Sequence, residues 1–239
     1  MNILIEIFNK VLYQPLFNAL ALLYNFLPGN DFGIAVIVLT ILIRLALHPL
    51  MSQSLKSRKV LSALQPKIKE IQDKFKNNKQ KQSEEMLKLY QTEKINPISG
   101  FLPLLIQLPL LIALYQVFWK GLQPEAMNSL YSFIPSFGEI NPIFLGVVNL
   151  SHASMFLAVL AGTVQFVQAK MMNPKSKPKK GQTNQIADIM QKQMLYFLPF
   201  FTVVILLRLP AAIALYWIVT SLFSIGQQYN INKNHVKVS

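Results

Sequence analysis

Residues 33–50, GIAVIVLTILIRLALHPL, form an almost unbroken apolar run with a single charge, Arg44, set inside it. As a helix rising ~1.5 Å per residue, the run is ~27 Å long, close to the hydrocarbon thickness of a bilayer. A cation at that depth costs ~2.5–3.5 kcal/mol on insertion scales, and such side chains usually face a wet cavity or a partner. The alternative is snorkelling, because the run closes at Pro49 and a guanidinium on a long stem reaches the near interface. The run alone leaves both readings open.

The rest of the chain carries the same constraint further. It is 52% hydrophobic and 14% charged, yet bears a net charge of +13, which describes a polytopic membrane protein with basic loops rather than a soluble nucleic-acid binder. The absence of cysteine excludes structural disulfides, thiolate metal sites, a cysteine nucleophile and a lipoprotein-type lipid attachment. Residues 1–30 have no basic cluster at their start and no small-residue cleavage pattern. Glu6, Asn9, Lys10, Gln14 and Asn18 recur along them every three to five residues, which predicts an amphipathic helix lying in the interface, kinked near Pro15.

Residues 31–50 then make the first span. Residues 51–97 switch to Lys- and Glu-rich sequence in which Leu61, Leu64, Ile68, Ile71 and Phe75 step by three and four. That is a coiled-coil seam, and with a turn at Asn77-Asn78 it predicts a basic helical hairpin outside the membrane. The second span covers 98–119 and contains Pro103, Gln107 and Pro109. Proline frees carbonyls that neighbours or water must satisfy, so this helix is expected to line something polar. A loop follows over 120–142, a third span over 143–169 and a basic loop over 170–193. A fourth span (194–209) and a fifth (210–228) meet at Pro210, and a polar tail occupies 229–239. The last two spans are short for a ~30 Å hydrocarbon core, which implies earlier helix starts or a thinned bilayer. The hairpin, the 170–193 loop and the tail hold 19 of the 23 Lys and Arg residues, so the positive-inside rule sets the N-terminus outside and the C-terminus in the cytoplasm.

No catalytic constellation is present: there is no HExxH, no GxSxG, no phosphate-binding glycine loop, and the three histidines are scattered. Neither an enzyme, a metal site nor a cofactor is expected. Apart from Asp31 at the edge of the first, no acidic residue lies in a span, which argues against an ion-coupled pump. Polar residues in the spans include Thr40, Arg44, Gln107, Gln165, Thr202, Tyr216 and Thr220, with Thr40 and Arg44 one turn apart on one helix face. Singly, each uncharged member reads as helix packing. Together with two prolines and a cation that water, carbonyls or a visiting anion must satisfy, they point to a hydrated groove.

The run Asn96-Pro97-Ile98-Ser99-Gly100-Phe101-Leu102-Pro103-Leu104-Leu105-Ile106-Gln107-Leu108-Pro109, followed by Ala113-Leu114-Tyr115, strongly resembles the second span of YidC-type membrane insertases, the family that includes Oxa-type and Albino-type relatives. Leu39-Thr40-Ile41-Leu42-Ile43-Arg44, Leu64-Gln65-Pro66-Lys67-Ile68, Gln191-Lys192-Gln193-Met194, and Leu209-Pro210-Ala211 through Leu215-Tyr216-Trp217 match in the same order. Phe101 and Ala212 depart from the commoner small residue and glycine. The resemblance is to the family's short form, for which neither the large external domain of some relatives nor a long basic C-terminal tail is expected.

The resemblance implies an all-α membrane protein: five transmembrane helices around a hydrophilic groove open to cytoplasm and lipid, a cytoplasmic hairpin and an external interfacial helix. It implies a substrate groove formed by Arg44, Thr40, Gln107, Gln165 and Tyr216, with Trp217 beside it. The expected function is insertion and folding of integral membrane proteins in a bacterial plasma membrane. The implied partners are nascent membrane proteins, lipids and, through the hairpin, the ribosome and a Sec-type translocon, with no DNA. The competing readings are a lipid or anion conduit and a membrane anchor whose basic hairpin binds RNA or another partner.

Overall fold

The computed structural model describes residues 2–93, 95–96, 102–121, 123, 128–135, 140–172 and 193–236. Among them helices predominate: α1 (Asn2–Phe8), α2 (Gln14–Phe26), α3 (Phe32–Ala46), α4 (His48–Lys74), α5 (Lys79–Thr92), α6 (Leu102–Lys120), α7 (Met155–Met172), α8 (Leu198–Leu206) and α9 (Ala211–Val236). The strands are β1 (Ile143–Phe144) and β2 (Val148–Asn149), paired antiparallel. Residues 97–101 of the second-span motif, 173–192 of the basic loop and 237–239 of the tail lie outside the described residues. The chain forms two compact units, Met1–Leu45 with Leu110–Ser239, and Ala46–Pro109.

The larger unit is built on α-helical stripes of small and apolar side chains. On α6, Leu110, Ala113, Leu114, Val117 and Phe118 are buried at three- and four-residue steps, and Phe118 meets Phe32 of α3 edge to face at 6.1 Å between ring centroids. On α7 the inward face is Leu157, Ala158, Ala161, Gly162 and Gln165. Gly162 lets α8 approach closely: a Cβ there would overlap the Val203 side chain and sit 3.2 Å from the Pro199 carbonyl. Residues 211–216 at the start of α9 are all buried. The first amides of α9, orphaned at a helix start, are satisfied from the preceding loop: Ala211 N donates to His152 O at 2.9 Å and Ala212 N to Leu150 O at 3.1 Å. The opposite faces of α7 and α8 expose Met155, Phe156, Val159, Phe200, Phe201 and Val204. An outward apolar surface of that extent belongs in lipid.

Among the described residues two helices are long and apolar enough to cross a bilayer, Met155–Met172 and Ala211–Ile231, or three when Phe32–Ala46 and His48–Ser57 count as one bent span. α3 stops at Ala46, where Pro49 supplies no amide to the carbonyl four residues earlier and instead sits in the first turn of α4.

Two expectations from the sequence are corrected here. The third span does not begin at residue 143: residues 143–149 form the β-hairpin, with Leu145 (φ 50°) and Gly146 (φ 72°) at its turn, and α7 starts at Met155. The strands are joined by a three-residue loop, 145–147, whose turn closes through Val147 N to Phe144 O with Leu145 and Gly146 as its two left-handed central residues. The tail is not distinct from residue 229 onward, since α9 continues to Val236. The N-terminal segment is helical. α1 exposes Ile3, Leu4, Ile5 and Ile7, but α2 buries Phe17, Leu20, Ala21 and Tyr24 at helical spacing. The two are joined by a π-helical turn, Asn9–Tyr13, directly before Pro15, whose missing N–H interrupts the regular ladder.

The smaller unit contains α4 and α5 as an antiparallel hairpin. Asn78 caps α5 by accepting the Lys81 backbone amide at 3.0 Å, and the Gln82 side-chain Nε2 donates to the Gln72 carbonyl at 3.0 Å across the turn. Leu64 and Ile68 are buried in the seam, while Lys74 and Lys81 stand 5.5 and 5.8 Å from the Phe75 ring centroid. Lys67 pairs with Glu93 at 2.7 Å, tying the first helix to the end of the second.

Candidate functional site

Arg44 sits in the last turn of α3, 5% exposed, so its guanidinium is held inside the larger unit rather than extended to an interface. Its Nε donates to Thr220 Oγ1 at 3.3 Å, and the Tyr216 phenol lies within hydrogen-bonding reach of the guanidinium. Tyr216 and Thr220 are one turn apart on α9, so a single helix face presents both oxygens. Tyr216 is fully buried. Both acceptors are neutral, and they satisfy N–H donors while leaving the positive charge intact.

Thr40, one turn before Arg44, is 1% exposed, and its hydroxyl donates to the Val36 carbonyl at 2.6 Å within its own helix. That bond fixes the hydrogen and turns the oxygen lone pairs outward as acceptors. Gln165, on the inward face of α7, is 8% exposed, and its Oε1 is buried without a hydrogen-bond partner among the described residues. A buried amide oxygen left so costs about 1–3 kcal/mol, a deficit that water or an incoming donor removes. Thr202 is buried on α8, and Trp217, next to Tyr216, is half-buried. Gln107 is half-buried in the first half of α6, which belongs to the smaller unit.

The structure therefore brings Arg44, Tyr216 and Thr220 together and seats Thr40 on the same helix face as Arg44. Thr220 is one of the polar span residues singled out in the sequence, though not one of the groove residues that the resemblance implies; the bond that brings it to Arg44 joins positions 176 apart.

Fold and site together define a mostly helical membrane protein with a polar cluster around a buried guanidinium. The chain belongs to the family described as 60Kd inner membrane protein, whose model matches residues 22–238. It is 35% identical over 204 residues to the membrane protein insertase YidC of Fusobacterium nucleatum, covering 85% of this chain and 87% of that one. It is 31% identical over 237 residues to the membrane protein insertase YidC 2 of Bacillus anthracis, covering 98% of this chain and 84% of that one. The membrane protein insertase YidC of Syntrophus aciditrophicus is 34% identical over 226 residues, 94% of this chain, of which this chain spans 37%.

Proposed function

We propose that the protein inserts other membrane proteins into a bacterial plasma membrane. On this reading five helices span the bilayer, and Arg44, Thr40, Gln107, Gln165, Tyr216 and Trp217 line a hydrated groove open to cytoplasm and lipid. The observation that carries it is Arg44, buried among apolar helices and held by neutral hydroxyls, in a chain whose relatives are named insertases.

The mechanism follows from the energetics. A carboxylate entering the membrane core costs ~2.5–3.5 kcal/mol on insertion scales. A guanidinium ~4 Å away attracts it by ~4 kcal/mol before its own desolvation is counted, so the two effects are comparable. The acidic or polar leading segment of a substrate thus enters a wet, positive site instead of bare hydrocarbon. The following apolar segment, ~20 residues at about −0.5 kcal/mol each, contributes about −10 kcal/mol on reaching lipid. No bond is made or broken and no nucleotide is required. The N-terminus lies outside, and the basic α4–α5 hairpin lies in the cytoplasm, where it meets the ribosome, a Sec-type translocon or anionic lipid.

The test is reconstituted insertion of a single-span substrate with either an acidic or a neutral leading segment. Arg44→Ala slows the acidic substrate about 5- to 30-fold, the equivalent of about 1–2 kcal/mol, and leaves the neutral one nearly unchanged. Arg44→Lys retains most of the rate. Equal rates for wild type and Arg44→Ala on the acidic substrate, with the variant folded, refute the electrostatic role.

A further inference from the structure

At the end of the larger unit where α6 terminates, a cleft of about 450 Å³ opens between the N-terminal segment and the loop after α6. It is lined by Asn9, Tyr13, Gln14, Lys120, Gln123, Asn128 and Ser129. Among these residues one is a cation and none is a carboxylate; the others offer amides and hydroxyls. That donor set suits an anion bearing several acceptor oxygens.

The cleft is built. Asn18, 2% exposed, donates to the Gln14 carbonyl at 2.8 Å and the Ser129 carbonyl at 3.0 Å, and accepts the Tyr131 amide at 2.7 Å. These bonds pin residues 129–131 against α2. The Tyr13 hydroxyl lies near the Ser129 side chain, and Lys120 Nζ stands 5.7 Å from the Tyr13 ring centroid. The ammonium is therefore held at the rim by an aromatic face.

Its surroundings place the cleft at headgroup depth. Tyr115 and Trp119 stack on the outside of α6, 6.3 Å between centroids, with Trp119 51% exposed just before Lys120. An exposed Tyr–Trp pair followed by Lys at the end of an apolar helix marks a membrane interface. On the other rim, α1 and the π-helical turn expose Ile3, Ile7 and Val11, and Ile7, Val11 and Gln14 share one face. A polar cleft thus adjoins an apolar ledge.

We propose that this cleft is a phospholipid site: the phosphate of a headgroup binds at Lys120 with Asn9, Gln14 and Asn128 donating, while the acyl chains run along Ile7 and Val11. The bound lipid fastens the N-terminal helix to the bundle through the bilayer. The proposal needs only that the apolar helices stand in a membrane, and it is independent of what the polar cluster around Arg44 does.

The test is native mass spectrometry of the full chain in detergent, titrated in turn with phosphatidylglycerol, a diacyl glycolipid lacking phosphate, and inorganic phosphate. Wild type retains phosphatidylglycerol in preference to the glycolipid. Lys120→Gln raises the apparent Kd for phosphatidylglycerol about tenfold, the loss expected for one charge-assisted contact, and Asn128→Leu raises it several-fold. Lys120→Arg stays near wild type, and glycolipid binding is unchanged in all three variants. Three results overturn the proposal: no change in phosphatidylglycerol retention with Lys120→Gln, the same Lys120 dependence for the phosphate-free glycolipid, or inorganic phosphate alone displacing the lipid at equal concentration. Unaltered melting of Lys120→Gln confirms that the fold is intact, as an exposed side chain predicts.

Discussion

Asp31 makes a compact test of how the larger unit is assembled, because its two carboxylate oxygens do separate jobs. Oδ1 accepts the Ile34 amide at 3.0 Å, capping α3, the helix that carries Thr40 and Arg44. Oδ2 accepts the Leu145 amide at 2.6 Å, latching the tip of the β-hairpin to the same helix end. An N-cap carboxylate is worth ~1 kcal/mol. A charge-assisted bond to an amide contributes ~1.5–3 kcal/mol when dry, and partial exposure here brings it to ~1 kcal/mol. Asp31→Ala should therefore lose ~2 kcal/mol. Asp31→Ser keeps a capping oxygen but cannot reach the hairpin, so it should lose only the latch, ~1 kcal/mol. The readout is reversible denaturation in mixed micelles, followed by Trp119 and Trp217, the two tryptophans of the chain. Serine matching alanine would mean that the cap contributes nothing. Serine matching wild type would mean that the latch is not formed in the membrane.

Gly162→Ala should destabilise by ~1–3 kcal/mol despite alanine's better helix propensity, because its methyl meets Val203 at the α7–α8 contact; Val203→Ala should restore most of the loss, and unfolding of the double variant checks this. The Lys67–Glu93 pair joins side chains 59% and 31% exposed, so a double-mutant cycle read by hydrogen exchange in α5 should give a coupling of ~0.5 kcal/mol or less that vanishes in high salt.

The sequence displayed some of this structure and concealed the rest for identifiable reasons. The Thr40–Arg44 face and the Leu64–Ile68 seam were legible because both depend on helical spacing alone. The hairpin at 143–149 was hidden by composition: Ile143, Phe144, Leu145, Val147 and Val148 read as the start of an apolar span. Hydropathy takes no account of the left-handed turn at Leu145-Gly146 that splits them. The Asn-Pro before the run and the Asn-Leu-Ser-His after it are the turn signals that mark it off. The stripe Phe17, Leu20, Ala21 and Tyr24 was present in the sequence, but an apolar helical face does not reveal whether lipid or protein covers it. Residues joined over long separations, such as Arg44 with Thr220 or Asn18 with Ser129, leave no local pattern at all.

The central claim is that a substrate passes along the polar face marked by Arg44. Its most direct test is photocrosslinking from Gln107, Gln165 and Trp217, one at a time, to ribosome-stalled chains of increasing length bearing one transmembrane segment. Crosslinks from all three positions, rising and then fading as the segment lengthens into lipid, are the predicted result. Crosslinks confined to the lipid-facing Phe201, with silence at those three positions in folded protein supplied with chains, would contradict it.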